Sequence, residues 1–138
     1  MRKTVYTAVL AISVGLVMPF CKKSGSTNTD PCKTEATLSV TTSPASGSTE
    51  APSVGPNFPL TVTINSAVPG SGVTIEVVAH PESSTTNFFK ETKPSTTKVT
   101  DFSISGTPSG VVCVTEITVT SKSCATNKWT GSYRYSKK

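Results

Sequence analysis

Apolar and polar positions alternate with a period of two through most of the chain after residue 36, the signature of half-buried β-strands. Phe58, Leu60, Val62 and Ile64 point one way while Thr61 and Thr63 point the other, predicting a strand over Phe58–Asn65. Pro59 has no backbone N–H, so it belongs at the start of that strand or on a free edge. Val73, Ile75, Val77 and Ala79 predict the inward face of a second long strand, Val73–His80. Shorter alternations predict a first strand over Thr37–Thr42, with Leu38 and Val40 on one face, and another over Lys98–Ser105, with Thr100, Phe102 and Ile104 facing in. A longer strand is predicted over Val111–Ser121, with Val111, Cys113, Ile117 and Val119 on one face. Trp129–Tyr135 closes the pattern, with Trp129, Gly131, Tyr133 and Tyr135 sharing a face. Breaker-rich Ser43–Asn57, Val68–Gly72, Gly106–Gly110 and the loop Cys124–Lys128 separate these runs. Pro81–Thr97 shows no clear period; Phe88 and Phe89 either form a short edge strand or plug the side of the fold. No helical period appears outside the first two dozen residues.

Six or seven short strands with turn-rich connections in about 105 residues argue an all-β fold, an antiparallel sandwich. The abundance of Val and Thr in the strand positions fits that class. The final hairpin, whose second strand opens at Trp129, resembles the closing pair of bacterial immunoglobulin-like and fibronectin-type-III-like domains. The resemblance covers Thr37–Tyr135 at the level of pattern. It lacks the pair of core cysteines usual in immunoglobulin domains, since Phe58–Asn65 contains none. What it implies is an immunoglobulin-like β-sandwich over 32–138. A fold of this class hosts many functions and names none.

The start of the chain has a different character. Arg2 and Lys3 precede Thr4–Met18, an uncharged and mostly apolar run of fifteen residues. A bilayer-spanning helix needs about 20 apolar residues, so the run matches the apolar core of a secretory signal better. Met18-Pro19-Phe20-Cys21 follows, then Lys22, Lys23 and a Ser/Gly/Thr tract. A cysteine closing such a run resembles a bacterial lipoprotein signal, and Cys-Lys-Lys-Ser looks most like the small lipoproteins of Bacteroidota. That resemblance implies a signal peptide over 1–20 and acylation of Cys21. Residues 21–31 then form a flexible tether, and the domain is held at the cell envelope by its lipid, on the outer membrane or cell surface. Phe20 departs from the small residue usual before such a cysteine, and Met18 from the frequent leucine. The competing readings are an ordinary secretory signal cut near Ser24-Gly25-Ser26, which would release the protein, and an uncleaved anchor. Fully extended at about 3.4 Å per residue, the tether from Cys21 to Cys32 reaches about 37 Å, which keeps the domain close to the membrane.

Charge excludes one class of partner. The formal net charge of +5 falls to +3 without Arg2 and Lys3, and Lys22, Lys23, Lys137 and Lys138 against Asp30 account for what is left. Within 32–136, basic and acidic residues balance at seven each. A nucleic-acid module needs a basic face within its fold, and this domain has no net charge to supply one. Lys22 and Lys23 instead suit anionic headgroups beside the anchor.

Candidate chemistry is sparse. His80 is the single histidine. Glu82 lies two residues on, but Pro81 intervenes, and a closed zinc site needs four ligands. There is no G-x-S-x-G elbow for a serine nucleophile and no phosphate-binding glycine loop. Acidic residues occur singly, which argues against a calcium cage. No cofactor, metal or catalytic group is therefore expected. The stripe Trp129, Tyr133, Tyr135 is either core or, if exposed, a binding face on which sugar rings would stack. The expectation is a non-enzymatic binding or structural module with an envelope protein or glycan as partner. A glycan-binding domain, secreted or anchored, is the alternative, and a hydrolase with an unrecognised site stands behind it.

Thiols of an exported chain meet an oxidising compartment and tend to pair. With Cys21 assigned to lipid, Cys32, Cys113 and Cys124 remain. Cys113 and Cys124 lie towards opposite ends of one predicted strand, about 26 Å apart at about 3.3 Å per residue, whereas a disulfide tolerates about 4.4–6.8 Å between Cα atoms. The immunoglobulin-like resemblance implies that the chain comes in at the end carrying the loop before the last strand. It therefore implies Cys32–Cys124, with Cys113 a buried free thiol. A first strand coming in from the other end would give Cys32–Cys113 instead.

Overall fold

In the computed structural model, residues 30–138 are described. The signal segment 1–20, the acylation candidate Cys21 and residues 22–29 of the tether lie outside the described residues. Seven strands form two antiparallel sheets. They are β1 (Val40–Ser43), β2 (Asn57–Ile64), β3 (Val73–Pro81), β4 (Phe89–Ser95), β5 (Val99–Ser105), β6 (Val112–Ser121) and β7 (Lys128–Ser136). One sheet has the order β1-β2-β5 and the other β4-β3-β6-β7. Non-consecutive neighbours in both sheets mean that the chain crosses between layers, as in an immunoglobulin-like sandwich.

The core is what the alternation dictates. Leu60, Val62 and Ile64 of β2 face Val73, Ile75, Val77 and Ala79 of β3, with Phe102 and Ile104 of β5 and Cys113, Ile117 and Val119 of β6, all buried. Each fully buried Val, Leu or Ile contributes about 1.5–3 kcal/mol relative to exposure. This face therefore fixes the registers, since a one-residue slip would turn it outward. Thr115 sits in the same buried row of β6. Val111, expected on that row, lies before β6 and is 40% exposed. Thr100 is only half-buried, and β1 begins three residues later than expected, leaving Leu38 buried just ahead of it.

The uncertain stretch resolves as an edge strand. β4 pairs only with β3, and its KETKPS sequence turns Lys90, Lys93 and Glu91 to solvent or to surface ion pairs with Glu76 and within the strand. Charges and a proline on an edge discourage pairing with other chains, and the same residues erase the period-two signal. Phe88 and Phe89 pack, half-buried, against the core at its start.

At the other end of the sandwich the incoming chain makes a one-turn helix, α1 (Pro31–Thr34), where the sequence predicts no helix and ends the tether at residue 31. Asp30 caps it, its Oδ1 accepting the Cys32 N–H at 3.0 Å, and Pro31 takes the first helical position, where a missing N–H costs nothing. Cys32 is bonded to Cys124, with Cα atoms 5.1 Å apart, and Cys113 is the buried free thiol among the described residues. Asn127 strengthens this clasp: its Oδ1 accepts from Leu38 N–H at 2.9 Å and its Nδ2 donates to Ala36 O at 3.0 Å and Glu35 Oε2 at 3.1 Å. The Glu35 carboxylate also accepts from the Ser123 hydroxyl. The incoming chain, the β2–β3 turn and the β6–β7 loop therefore share one end. The long β1–β2 connection, the β3–β4 and β5–β6 turns and the C-terminus occupy the other.

Candidate functional site

β1 stops early, and that opens a concavity beside it. Pro44 follows Ser43 and cannot continue the ladder. The chain leaves β1 opposite Thr61, crosses between the layers, and runs beside β7. There it is held parallel by Gly47 N–H to Ser132 O (2.7 Å), Glu50 N–H to Arg134 O (2.8 Å), Arg134 N–H to Ser48 O (2.9 Å) and Ser53 N–H to Ser136 O (3.2 Å). This segment covers the outer edge of β7. It also leaves the first half of β2 with no strand on the β1 side.

The backbone direction along that open edge follows from alternation. Ile64 N–H donates to Lys98 O on the β5 side, and Asn65 N–H donates to Ser39 O on the β1 side. Counting back by twos, Asn57 and Pro59 turn their polar groups to the open edge. Pro59 brings a carbonyl there but no N–H, in keeping with its expected position on a free edge.

Between this edge and the 48–53 segment lies a lateral cleft of about 370 Å³. Its lining comes from three remote stretches: Ser43 to Ser53, Phe58 to Thr61, and Tyr133 with Tyr135. Aromatic rings form its inner part, Phe58 against Tyr135 at 4.8 Å between centroids and Tyr135 against Tyr133 at 5.8 Å. Pro44, Pro59 and Ala51 add apolar wall, and Glu50 supplies the one carboxylate of the lining. Glu50 Oε1 accepts from Ser48 Oγ at 2.6 Å. No lysine, arginine or histidine among the described residues lies within ion-pair distance of it.

The two tyrosines differ in how their hydroxyls are satisfied. Tyr135 Oη shares a hydrogen bond with Thr107 Oγ1 at 2.9 Å. Burial pushes its pKa up to about 12, with that hydrogen bond pulling the other way. Tyr133 is 2% exposed, and its Oη has no hydrogen-bond partner among the described residues; Thr115 Oγ1, buried nearby, has none either. Burial raises the Tyr133 pKa, Thr115 offsets part of this without hydrogen-bond geometry, and the Glu50 carboxylate raises it further. Both phenols are thus held neutral, able to donate or accept. The cleft combines an aromatic interior, an acceptor-rich mouth and one uncompensated negative charge.

The other sequence candidates are dispersed. Tyr133 and Tyr135 belong to the core, so the three-ring face with Trp129 is not exposed as a platform; only ring edges reach the cleft. Trp129 is half-buried lower on the same side, over a separate groove with Val40, Thr42, Ala45 and Ser46. His80 Nδ1 contacts Pro81 O at 2.9 Å and its Nε2 lies 3.9 Å from Glu116, while Glu82 pairs with Arg134 at 2.6 Å. The adjacent His80 and Glu82 are therefore spent on different partners. Among the described residues no group of three or more His, Cys, Asp or Glu is placed to hold a metal, and no helix is long and apolar enough to cross a membrane. Glu50 and Ser43 were not singled out by sequence; the signal available was a lone acid in a breaker-rich connection, which reads equally as solvent-exposed loop. Comparison of the chain with protein-family models, curated proteins and solved structures gave no match.

Proposed function

We propose that this chain is a lipid-anchored cell-envelope lipoprotein whose sandwich is a non-enzymatic binding module, and that the lateral cleft is where it binds. The observation that carries the reading is the cleft itself. It is concave, aromatic within and polar at the mouth, the usual composition of a ligand site, and its size falls in the range of such sites. The anchor part rests on the Thr4–Met18 run ending at Cys21 and Lys22-Lys23. The disulfide-clasped end, where a tether would join, lies opposite the end holding the C-terminus and the β1–β2 connection. A domain hung in this way keeps the cleft clear of the anchor.

A glycan-binding role is the second reading, supported by Trp129 at the lower groove, which would offer one ring for stacking. Ala51→Trp, at an exposed cleft position, separates the two. Captured from an envelope fraction by the full-length protein in non-ionic detergent, a partner of the cleft is lost with Ala51→Trp and retained with Trp129→Ser. The reverse result assigns binding to the lower groove, and insensitivity to both overturns the cleft as the binding surface.

A further inference from the structure

We infer that the lateral cleft takes an ammonium or guanidinium group carried on an apolar stem. This rests on the cleft being the binding surface and goes on to name what it selects. Three observations converge. Glu50 stands in the lining without a cation, whereas Glu76, Glu82, Glu91 and Glu116 each have Lys, Arg or His within ion-pair distance. The Pro59 carbonyl on the open edge of β2 lies beside the same space and comes without an N–H of its own. The rings of Phe58, Tyr133 and Tyr135 give the same space an apolar interior.

A cation with several N–H donors on an apolar stem suits all three, since ammonium offers three donors and guanidinium five, and neither accepts. The aromatic interior of Phe58, Tyr133 and Tyr135 fits the methylenes behind such a head group. Asp101 adds negative potential from behind: its Oδ1 accepts from Thr61 Oγ1 at 2.7 Å, and Thr61 lines the cleft. A charged residue beside an edge also discourages strand pairing. That role accounts for Glu50, but not for the absence, among the described residues, of a cation beside it.

The test titrates the full-length protein in non-ionic detergent by calorimetry and by NMR. The probes are Nα-acetyl-lysine methylamide, Nα-acetyl-arginine methylamide, their neutral norleucine counterpart, and 1,5-diaminopentane as a free amine. Saturable binding is expected for the cations, with dissociation constants of about 1 mM or tighter, weakened by salt and absent for norleucine. The ratio of peptide-borne to free-amine affinity tells which source the cleft favours. Glu50→Gln keeps the shape of an exposed residue and should weaken binding about tenfold, the worth of one charge-assisted hydrogen bond. Glu76→Gln, on the outer face of β3, should change nothing. Norleucine binding as well as lysine, or Glu50→Gln binding as well as the parent, overturns the inference. An envelope partner lost with Ala51→Trp but kept with Glu50→Gln also overturns it, while leaving the cleft as the binding surface.

Discussion

Trp129 lies across Gly131. The two alternate on the inward side of β7, and the indole covers the place where a side chain at 131 would stand: a Cβ there would meet Trp129 Cζ2 at 2.8 Å and Ser46 Oγ at 2.6 Å. Gly131 is needed here for space. The glycine lets the indole fold back over the strand and brings the crossing segment close enough for Ser46 Oγ to accept from Ser132 N–H at 3.3 Å.

Any side chain at 131 should therefore push the indole off the strand. Gly131→Val is expected to cost about 1–3 kcal/mol, the range for overpacking, and to shift tryptophan emission to longer wavelength as Trp129 gains water. Trp129→Ala should cost about 3 kcal/mol, the low end for large aromatics because the ring is only half-buried. Denaturant unfolding followed by circular dichroism measures both, and a neutral Gly131→Val would mean that the indole has another place to lie.

Glu35 sets an acid-sensitive contact at the clasp. Hydrogen bonds from Ser123 and Ser121, and to a smaller extent Asn127, hold its carboxyl below the usual carboxylate range against the opposing effect of burial. A carboxylate with a lowered folded pKa contributes stability above its unfolded pKa and loses it as pH falls through the folded value. Stability should therefore drop through the acid side of pH 5, and Glu35→Gln should flatten that part of the profile while leaving the alkaline side unchanged. Thermal melts of both proteins from pH 7 to pH 2 check this.

The phenols act at the opposite end of the scale. Tyr135 is pushed up to about 12 by burial, and Tyr133 is raised as well. In the unfolded chain both ionise near pH 10, so the unfolded state loses its protons first. Stability is fully present below about pH 10 and falls as pH climbs towards 12. Tyr135 alone accounts for up to about 3 kcal/mol of that fall at about 1.4 kcal/mol per unit. Tyr135→Phe should lower stability at pH 7, by stranding Thr107 Oγ1, and make the alkaline loss shallower. Unfolding curves at pH 8 and pH 11 distinguish the two effects.

What was legible in the sequence was what one face of a strand imposes. β2, β3, β5 and β6 bury every second residue, so Leu60, Ile75, Phe102 and Ile117 announce themselves. β4 was not legible, because an edge strand guarded by Lys90, Glu91 and Lys93 buries neither face fully. α1 spans one turn, too short for a period to form. The cleft left no local trace, since it depends on where β1 stops and on three stretches that meet only in space. Glu50 looked like loop because its backbone partner, Arg134, lies more than 80 residues away along the chain, on β7. The tyrosines of β7 were legible as a stripe, and both are buried within the sandwich while lining the inner part of the cleft.

The anchor makes a separate prediction. Cys21 follows the apolar run directly and should become the acylated first residue of the mature protein. Cys21→Ser should abolish incorporation of labelled fatty acid and stop cleavage before residue 21. A mature chain that begins near Ser24-Gly25-Ser26 without lipid, seen by mass spectrometry, would place the protein among secreted ones and would identify Phe20 as the reason processing fails.

The Cys32–Cys124 bond closes a sequence separation of 92 residues, and its loss should be felt in a particular place. In the chain-entropy model a loop of this length stabilises by about 4–5 kcal/mol, though measured values are often smaller. Cys124 is also buried, and its N–H donates to Ser121 Oγ at 3.2 Å, so the β6–β7 loop keeps its shape without the bond. The one-turn helix around Cys32 has no buried residue to hold it. Cys32→Ser should therefore release residues 30–34 while Ser123 and Asn127 still hold Glu35, Ala36 and Leu38, leaving the strands folded. The expected cost is about 2–4 kcal/mol. Hydrogen exchange should speed up at Cys32–Glu35 and stay slow at Ile75 and Ile117. Cys113, buried on β6, should react with an alkylating agent only after global unfolding, both in the parent and in Cys32→Ser. Peptide mapping without reductant should recover Cys32 and Cys124 in one cross-linked fragment. A fragment that contains Cys113 instead, or fast exchange spreading into β6, would show that the clasp is not what holds the incoming chain.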